Sequence, residues 1–246
     1  IGRPINQARR WIFFLGQTFQ PSEFVKFALV LYLAYIFSRK KEKIGDPVQA
    51  VLPPLIIVLI FVTIIYFQND FSTAFFIFFI AIAIFFIAGV KLHYFFLLGG
   101  IILPVGLTLI FTRVYWVKKL MVFLDPNSDP SGTGWQILQA RSALAHGGVW
   151  GVGLGKGVKK LGTPEVDSDF IFAVIGEEMG FIGILFVIGL FIAFLYRGYT
   201  IASRCNDPFR YYLAFGFTSL IFFQAVLNMV VVAGLIPATG IPLPFF

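Results

Sequence analysis

Five of the twelve acidic residues in this 246-residue chain fall within fourteen positions, from Glu165 to Glu178. They lie in TPEVDSDFIFAVIGEEMG, and the residues that follow, FIGILFVIGLFIAFLY, have the composition of a membrane-spanning helix. Charge at such a place is costly, so each acid needs a reason to be there. Asp169 stands apart from the others. It closes a polar stretch immediately before FIFAVIG, where the hydrocarbon is expected to begin. A carboxylate whose basicity is set by partial desolvation and by neighbouring cations can act as a general base on a hydroxyl. The same residue can also serve only as an acid at the positive end of a helix dipole, and the two roles are compatible. Glu177 and Glu178 lie two turns deeper, roughly 12 Å along a helix, and are expected to pair with another helix.

Other residues carry chemistry at recognisable spacings. Glu23 and Lys26, three apart, share a helix face. They form either a self-neutralising pair at a helix end or a site where Lys26 meets an anionic group while Glu23 and Asp70 hold it in place. Arg9, Arg10 and Trp11 suit a phosphate at a membrane surface, because guanidinium forks bind phosphate oxygens in pairs and Trp favours the interface. The Asp167-Ser168-Asp169 triplet makes a divalent cation possible, although two carboxylates are few donors for an oxygen-ligand site. His93 and His146 fall in different loops on opposite sides of the expected membrane, which argues against a histidine metal centre. The run GGVWGVGLGKG at 147–157 invites a nucleotide reading that its spacing refuses. A phosphate-binding loop needs Gly where Trp150 stands and Ser or Thr where Gly157 stands. It reads instead as a backbone turn beside the membrane, and no nucleic-acid partner is expected.

The elements that must position these residues are apolar helices. Hydrophobic residues make up 59% of the chain, with 32 Phe, and charged residues only 13%, against roughly 25% in soluble domains; mean hydropathy is +0.89. Apolar blocks without period-two alternation exclude a β-barrel and predict an all-α polytopic membrane protein. Six spans are expected, at about 22–37, 51–67, 71–89, 94–111, 170–196 and 209–232, with a long, mostly polar extracytoplasmic loop at 112–169. Within that loop, WQILQARSALAH at 135–146 reads as a helix lying on the bilayer surface. Cys205 is alone and forms no intrachain disulfide. The chain has no initiator Met and ends at LPFF, so it reads as an interior fragment, one transmembrane domain over 1–246. Placing the basic loops at 38–50, Lys91, and Arg197 with Arg204 inside puts residues 1–20, the QND corner at 68–70 and the 112–169 loop outside. Glu23, Lys26, Asp70 and Asp169 then all mark helix ends on the outer face. No internal repeat is found.

Together these motifs resemble the SEDS family (shape, elongation, division and sporulation). NQARRW at 6–11 is similar to the family's NGxRRW, QPSEFVKFA at 20–28 to QPSExxK, and QNDFSTA at 68–74 to QPDxGTA. FLDPNSDPSGTGWQILQA at 123–140 is similar to FLDPxxDPxGxGYQxxQ, and PEVDSDFIFAVIGEEMG to PExxTDFIFAxxGEExG. The resemblance covers the whole chain and leans, through VIGEE and GLGKG, toward the FtsW-type division branch. It implies about ten helices in a complete protein, the fourth to ninth being present here. It also implies an inverting peptidoglycan glycosyltransferase that polymerises lipid II at the outer face of the bacterial cytoplasmic membrane. Undecaprenyl pyrophosphate would be the leaving group. Asp169 matches the family's catalytic carboxylate, while Glu23, Lys26, Asp70, Arg9 and Arg10 match its other polar site positions. The expected partners are a class B penicillin-binding transpeptidase and other membrane proteins of the division or elongation machinery. A flippase for the lipid-linked precursor and a non-catalytic scaffold are the rival readings; the one-sided acids and the lack of a repeat weigh against the flippase. Asn69 stands where the family has Pro, Ser72 where it has Gly, and Asp167 where His is frequent.

Overall fold

The structure, a computed structural model, describes residues 12–14, 17–40, 47–112, 114–129, 132–158 and 169–245. Arg9, Arg10, Glu165 and Asp167 lie outside the described residues. Eight α-helices run in order among them: α1 Pro21–Arg39, α2 Leu52–Phe67, α3 Phe71–Ile87, α4 Leu92–Thr112, α5 Val114–Leu124, α6 Thr133–Gly147, α7 Ile171–Ser203 and α8 Pro208–Val232. Four stretches are long and apolar enough to cross a membrane: Pro21–Arg39, Val48–Phe67, Ile171–Ser203 and Pro208–Val232. Helix α3 is shorter and also apolar, and α4 carries Pro104 in its interior. The expected spans thus correspond to α1–α4, α7 and α8 of a multi-pass membrane protein.

Three expectations change. Residues 1–20 were expected to be loop, yet Ile12–Phe14 pairs antiparallel with Gln17–Phe19, Phe13 facing Thr18. Within the long loop, α5 joins the expected helix, which is α6. That helix does not turn its apolar side to the bilayer. Ala140, Ala143 and Leu144 pack into a protein core.

The chain forms two compact units, one of Ile1–Tyr94 with Leu195–Leu220 and one of Phe95–Phe194 with Ile221–Phe246. In the first, α1 buries Ser22, Lys26, Leu29, Val30, Leu33, Ala34 and Phe37, the three- and four-residue steps of one helical stripe. Helix α3 buries Ala74, Phe76, Ile77, Ile80, Ala81, Ile84 and Phe85 and leaves Phe75, Phe79 and Phe86 exposed. In lipid there is no hydrophobic gain from hiding a phenylalanine, and close packing decides the inner face. The contact between the Phe37 and Phe85 rings, edge to face at 4.9 Å, closes that interface. In the second unit, Ala140 and Ala143 of α6, Phe172, Val187 and Phe191 of α7, and Ala225 and Val232 of α8 form one core with Phe170 and Leu243.

Close helix approach in the first unit depends on Gly216. A Cβ there would lie 2.6 Å from Val30 Cγ1 and 3.2 Å from Ile84 Cδ1. Gly216→Leu is expected to lower stability by about 1–3 kcal/mol through overpacking. Gly100→Ala in α4, with open space around its Cβ, should instead be neutral or gain up to about 1 kcal/mol. Thermal unfolding of the purified protein in detergent compares the two.

Candidate active site

In the first unit the polar site residues gather where α1 and α3 begin. Pro21 in the first turn of α1 has no N–H to leave unpaired. Glu23 and Lys26 follow one turn apart, and their carboxylate and ammonium meet at 2.7 Å. The Lys26 side chain has no exposed surface, while that of Glu23 is 36% exposed. An ammonium so enclosed needs a counter-charge, and Glu23 supplies it; the Phe76 ring centroid lies 5.7 Å from the nitrogen. Of the pair, Glu23 is the member open to a ligand.

Asp70, also buried, uses both carboxylate oxygens. One accepts the Thr73 N–H at 3.2 Å, capping α3, and the other accepts the Gln20 side-chain amide at 2.8 Å. It thereby ties the residue ahead of α1 to the start of α3. Asn69, just before it, adopts φ +61°. Proline, fixed near −65°, cannot take that conformation, so this corner is shaped differently from one with Pro at the position.

Asp169 belongs to the second unit and stands two residues ahead of α7. Its main-chain carbonyl accepts the Asn228 amide at 2.8 Å, and the same Asn228 nitrogen donates to the Ile241 carbonyl at 2.9 Å. Because both partners are acceptors, the amide must turn its nitrogen toward them, which leaves Asn228 Oδ1 buried without a hydrogen-bond partner. Gln224, one turn earlier on α8, donates to the Pro242 carbonyl at 3.1 Å. Two amides on one face of α8 therefore hold the segment after the helix, and one of them also holds Asp169. Gly240, at φ +71°, passes close to the carboxylate, with its Cβ position 3.6 Å from Asp169 Oδ2.

The glycine run and the two deeper acids, unconnected in the sequence, prove to be one device. At Gly180, with φ +67° and ψ −165°, α7 breaks. The 147–158 segment pairs with the main-chain groups around the break. Val152 and Gly153 N–H donate to the carbonyls of Glu177 and Glu178, each at 3.0 Å. Phe181 and Ile182 N–H donate to the carbonyls of Gly148 and Val149, at 2.9 and 3.3 Å. The side chains complete the attachment: Glu177 accepts the Val158 N–H at 3.2 Å, and Glu178 the Gly155 N–H at 2.9 Å. Glu177 also meets His146 of α6 at 3.0 Å. The expected partner helix is thus present for Glu177, but the main partner of both acids is the loop. The available signal was glycine on both sides of the acidic pair, at Gly176 and Gly180. Among the described residues no three His, Cys, Asp or Glu side chains gather in a way that could hold a metal ion. Asp167, one arm of the acidic triplet, is not among them.

Replacing Asn228 by Leu keeps its approximate volume and removes the donor to both carbonyls. Stability is expected to fall by about 1–3 kcal/mol from the unpaired buried carbonyls. Amide hydrogen exchange over 239–243 should speed up while that of α1 and α3 stays unchanged, as peptide-resolved exchange would read.

Comparison with known proteins meets this geometry. The model of the cell cycle protein family named for FtsW, RodA and SpoVE matches residues 1–246. A probable peptidoglycan glycosyltransferase FtsW of Borreliella burgdorferi is 41% identical over 243 residues, 98% of this chain and 67% of that protein. Stage V sporulation protein E of Bacillus subtilis is 38% identical over 246 residues, 100% of this chain and 67% of its own. A solved structure concerned with the coordination of polymerization and crosslinking by a peptidoglycan synthase complex aligns at a TM-score of 0.79 and 28% identity, covering 99% of this chain and 68% of that one. The chain spans about two thirds of the length of these proteins. It belongs to the FtsW, RodA and SpoVE family and is FtsW-like within it.

Proposed function

We propose that the protein is a peptidoglycan glycosyltransferase that polymerises lipid II at the outer face of the bacterial cytoplasmic membrane. The observation that carries the reading is Asp169, held through its main chain by Asn228 at the start of α7. Its carboxylate lies beside a glycine that adds no side-chain bulk. A general base must be fixed against its target yet left room for it, and both features support the assignment.

In the reaction, Asp169 takes the proton from the 4-hydroxyl of the acceptor's GlcNAc. That oxygen forms a bond to C1 of the donor's MurNAc, the bond from C1 to the pyrophosphate oxygen breaks, and undecaprenyl pyrophosphate leaves with the electron pair. Attack opposite the leaving group inverts C1. Arg9 and Arg10 are assigned to the charge growing on the pyrophosphate. Lys26, enclosed by protein, is assigned with Glu23 and Asp70 to substrate binding. The similar solved structure, concerned with polymerization and crosslinking by a peptidoglycan synthase complex, supports a class B penicillin-binding transpeptidase as partner.

Asp169→Asn preserves shape and removes basicity. In the full-length protein with its transpeptidase partner, lipid II polymerisation is expected to fall about 10²–10⁴-fold, the usual share of a general base, with the fold and partner binding intact. Polymerisation at the unmodified rate would exclude Asp169 as the base. Loss of precursor translocation with polymerisation untouched would favour a transporter instead.

A further inference from the structure

The 147–158 loop also presents a surface to which the proposed reaction assigns no role. Its inner side is taken up by the α7 break, where Gly147 and Gly157 are buried. Its outer side exposes Val149, Trp150 at 81%, and Leu154 at 75%, with Lys156 exposed beside them. The change of environment along α7 falls at the same level. From Phe170 to Glu178 no residue is exposed; from Met179 onward Met179, Phe181, Ile182, Leu185, Phe186 and Leu190 are. The first turns of α7 are enclosed by protein, and the remainder shows the outward apolar face of a lipid-contacting span. The backbone bonds from Phe181 and Ile182 to Gly148 and Val149 make the exposed side chains of the loop continuous with that face.

We propose that this loop is seated in the membrane, with Trp150 and Leu154 inserted into the leaflet on the side of Asp169 and Lys156 at its polar rim. The occupant of the surface is lipid, for two reasons. The patch adjoins the lipid-facing stripe of α7 without interruption, and a Trp with a flanking Lys is the composition of an interfacial anchor. The hydrocarbon edge then lies near Gly180, deeper along α7 than the start beside Asp169 read from the sequence. Ile171–Met179 rises about 13 Å, and a tilt of about 20° changes this by under about 1 Å. The headgroup layer is only about 5–8 Å deep. Asp169 therefore stands beyond the phosphates, level with groups that a lipid-linked substrate carries outward. This last step rests on the proposed function, and the seating of the loop does not.

The test uses the full-length protein with Cys205→Ser, single cysteines at Trp150→Cys or Leu154→Cys, and an environment-sensitive fluorophore on each. The protein is placed in phosphatidylcholine–phosphatidylglycerol vesicles, with labels at Phe186→Cys and Asn127→Cys for comparison. Labels at 150 and 154 are expected to be quenched at least twofold more by a nitroxide at acyl carbon 5 than at carbon 12. Their quenching by aqueous iodide should be under a third of that at 127. Iodide quenching equal to that at 127, with no lipid quenching, would overturn the proposal. So would protection from both quenchers, the mark of a protein partner covering the loop. Leu154→Cys carries the test alone if Trp150→Cys does not fold. Failure here leaves the Asp169→Asn result standing, and loss of catalysis does not move the quenching, so the two ideas fail separately.

Discussion

A main chain in apolar surroundings has to pair every N–H and C=O, because no water is there to do it. The second unit is built around one place where a helix cannot meet that demand alone. At Gly180 the regular ladder of α7 stops, and the 147–158 segment restores the pairing with two donors and two acceptors of its own. Glu177 and Glu178 then fasten the loop through their carboxylates. Asn228 answers the same demand elsewhere, meeting the carbonyls of Asp169 and Ile241 with one amide group. The residue assigned to catalysis is thus located in part by main-chain accounting.

The first unit solves the corresponding problem for charge. Lys26 is wholly enclosed and sits against Glu23, and Asp70 is spent on capping α3 and on Gln20. These side chains are costly where they are unless each has a partner, and the partners lie within one turn or at the neighbouring helix end. On α3, Phe76 and Phe85 pack inward with alanines and isoleucines, while Phe75, Phe79 and Phe86 face out.

The helices were legible in the sequence because length and hydropathy suffice to mark a span. Which face of α3 is buried was not, since FSTAFFIFFIAIAIFFI is apolar on every side and the choice is made by packing. Asp169 and the Glu23–Lys26 pair could be singled out from charge beside apolar runs. Asn228 and Gln224 could not, because an amide inside an apolar helix announces a hydrogen bond without naming its partner. The glycine run misled in a particular way. Read for phosphate-binding spacings it carries nothing, because its partner is the chain's own backbone, about thirty positions on. Helix α6 was legible from its periodicity, but α5 hid in a segment read as polar loop.

One feature of the loop reaches further than its bonds. Surface loops ordinarily change length freely, because little depends on their register. Here Gly148 and Val149 on one side, and Val152 and Gly153 on the other, are each matched to a fixed residue of α7. Gly151 between them leaves a Cβ only 2.2 Å from the Glu178 carbonyl oxygen. One residue added or removed between 148 and 153 would shift one set of partners against the other and strand main-chain groups of both. The segment looks like a connector, but in its tolerance to insertion and deletion it has become part of the helix it repairs.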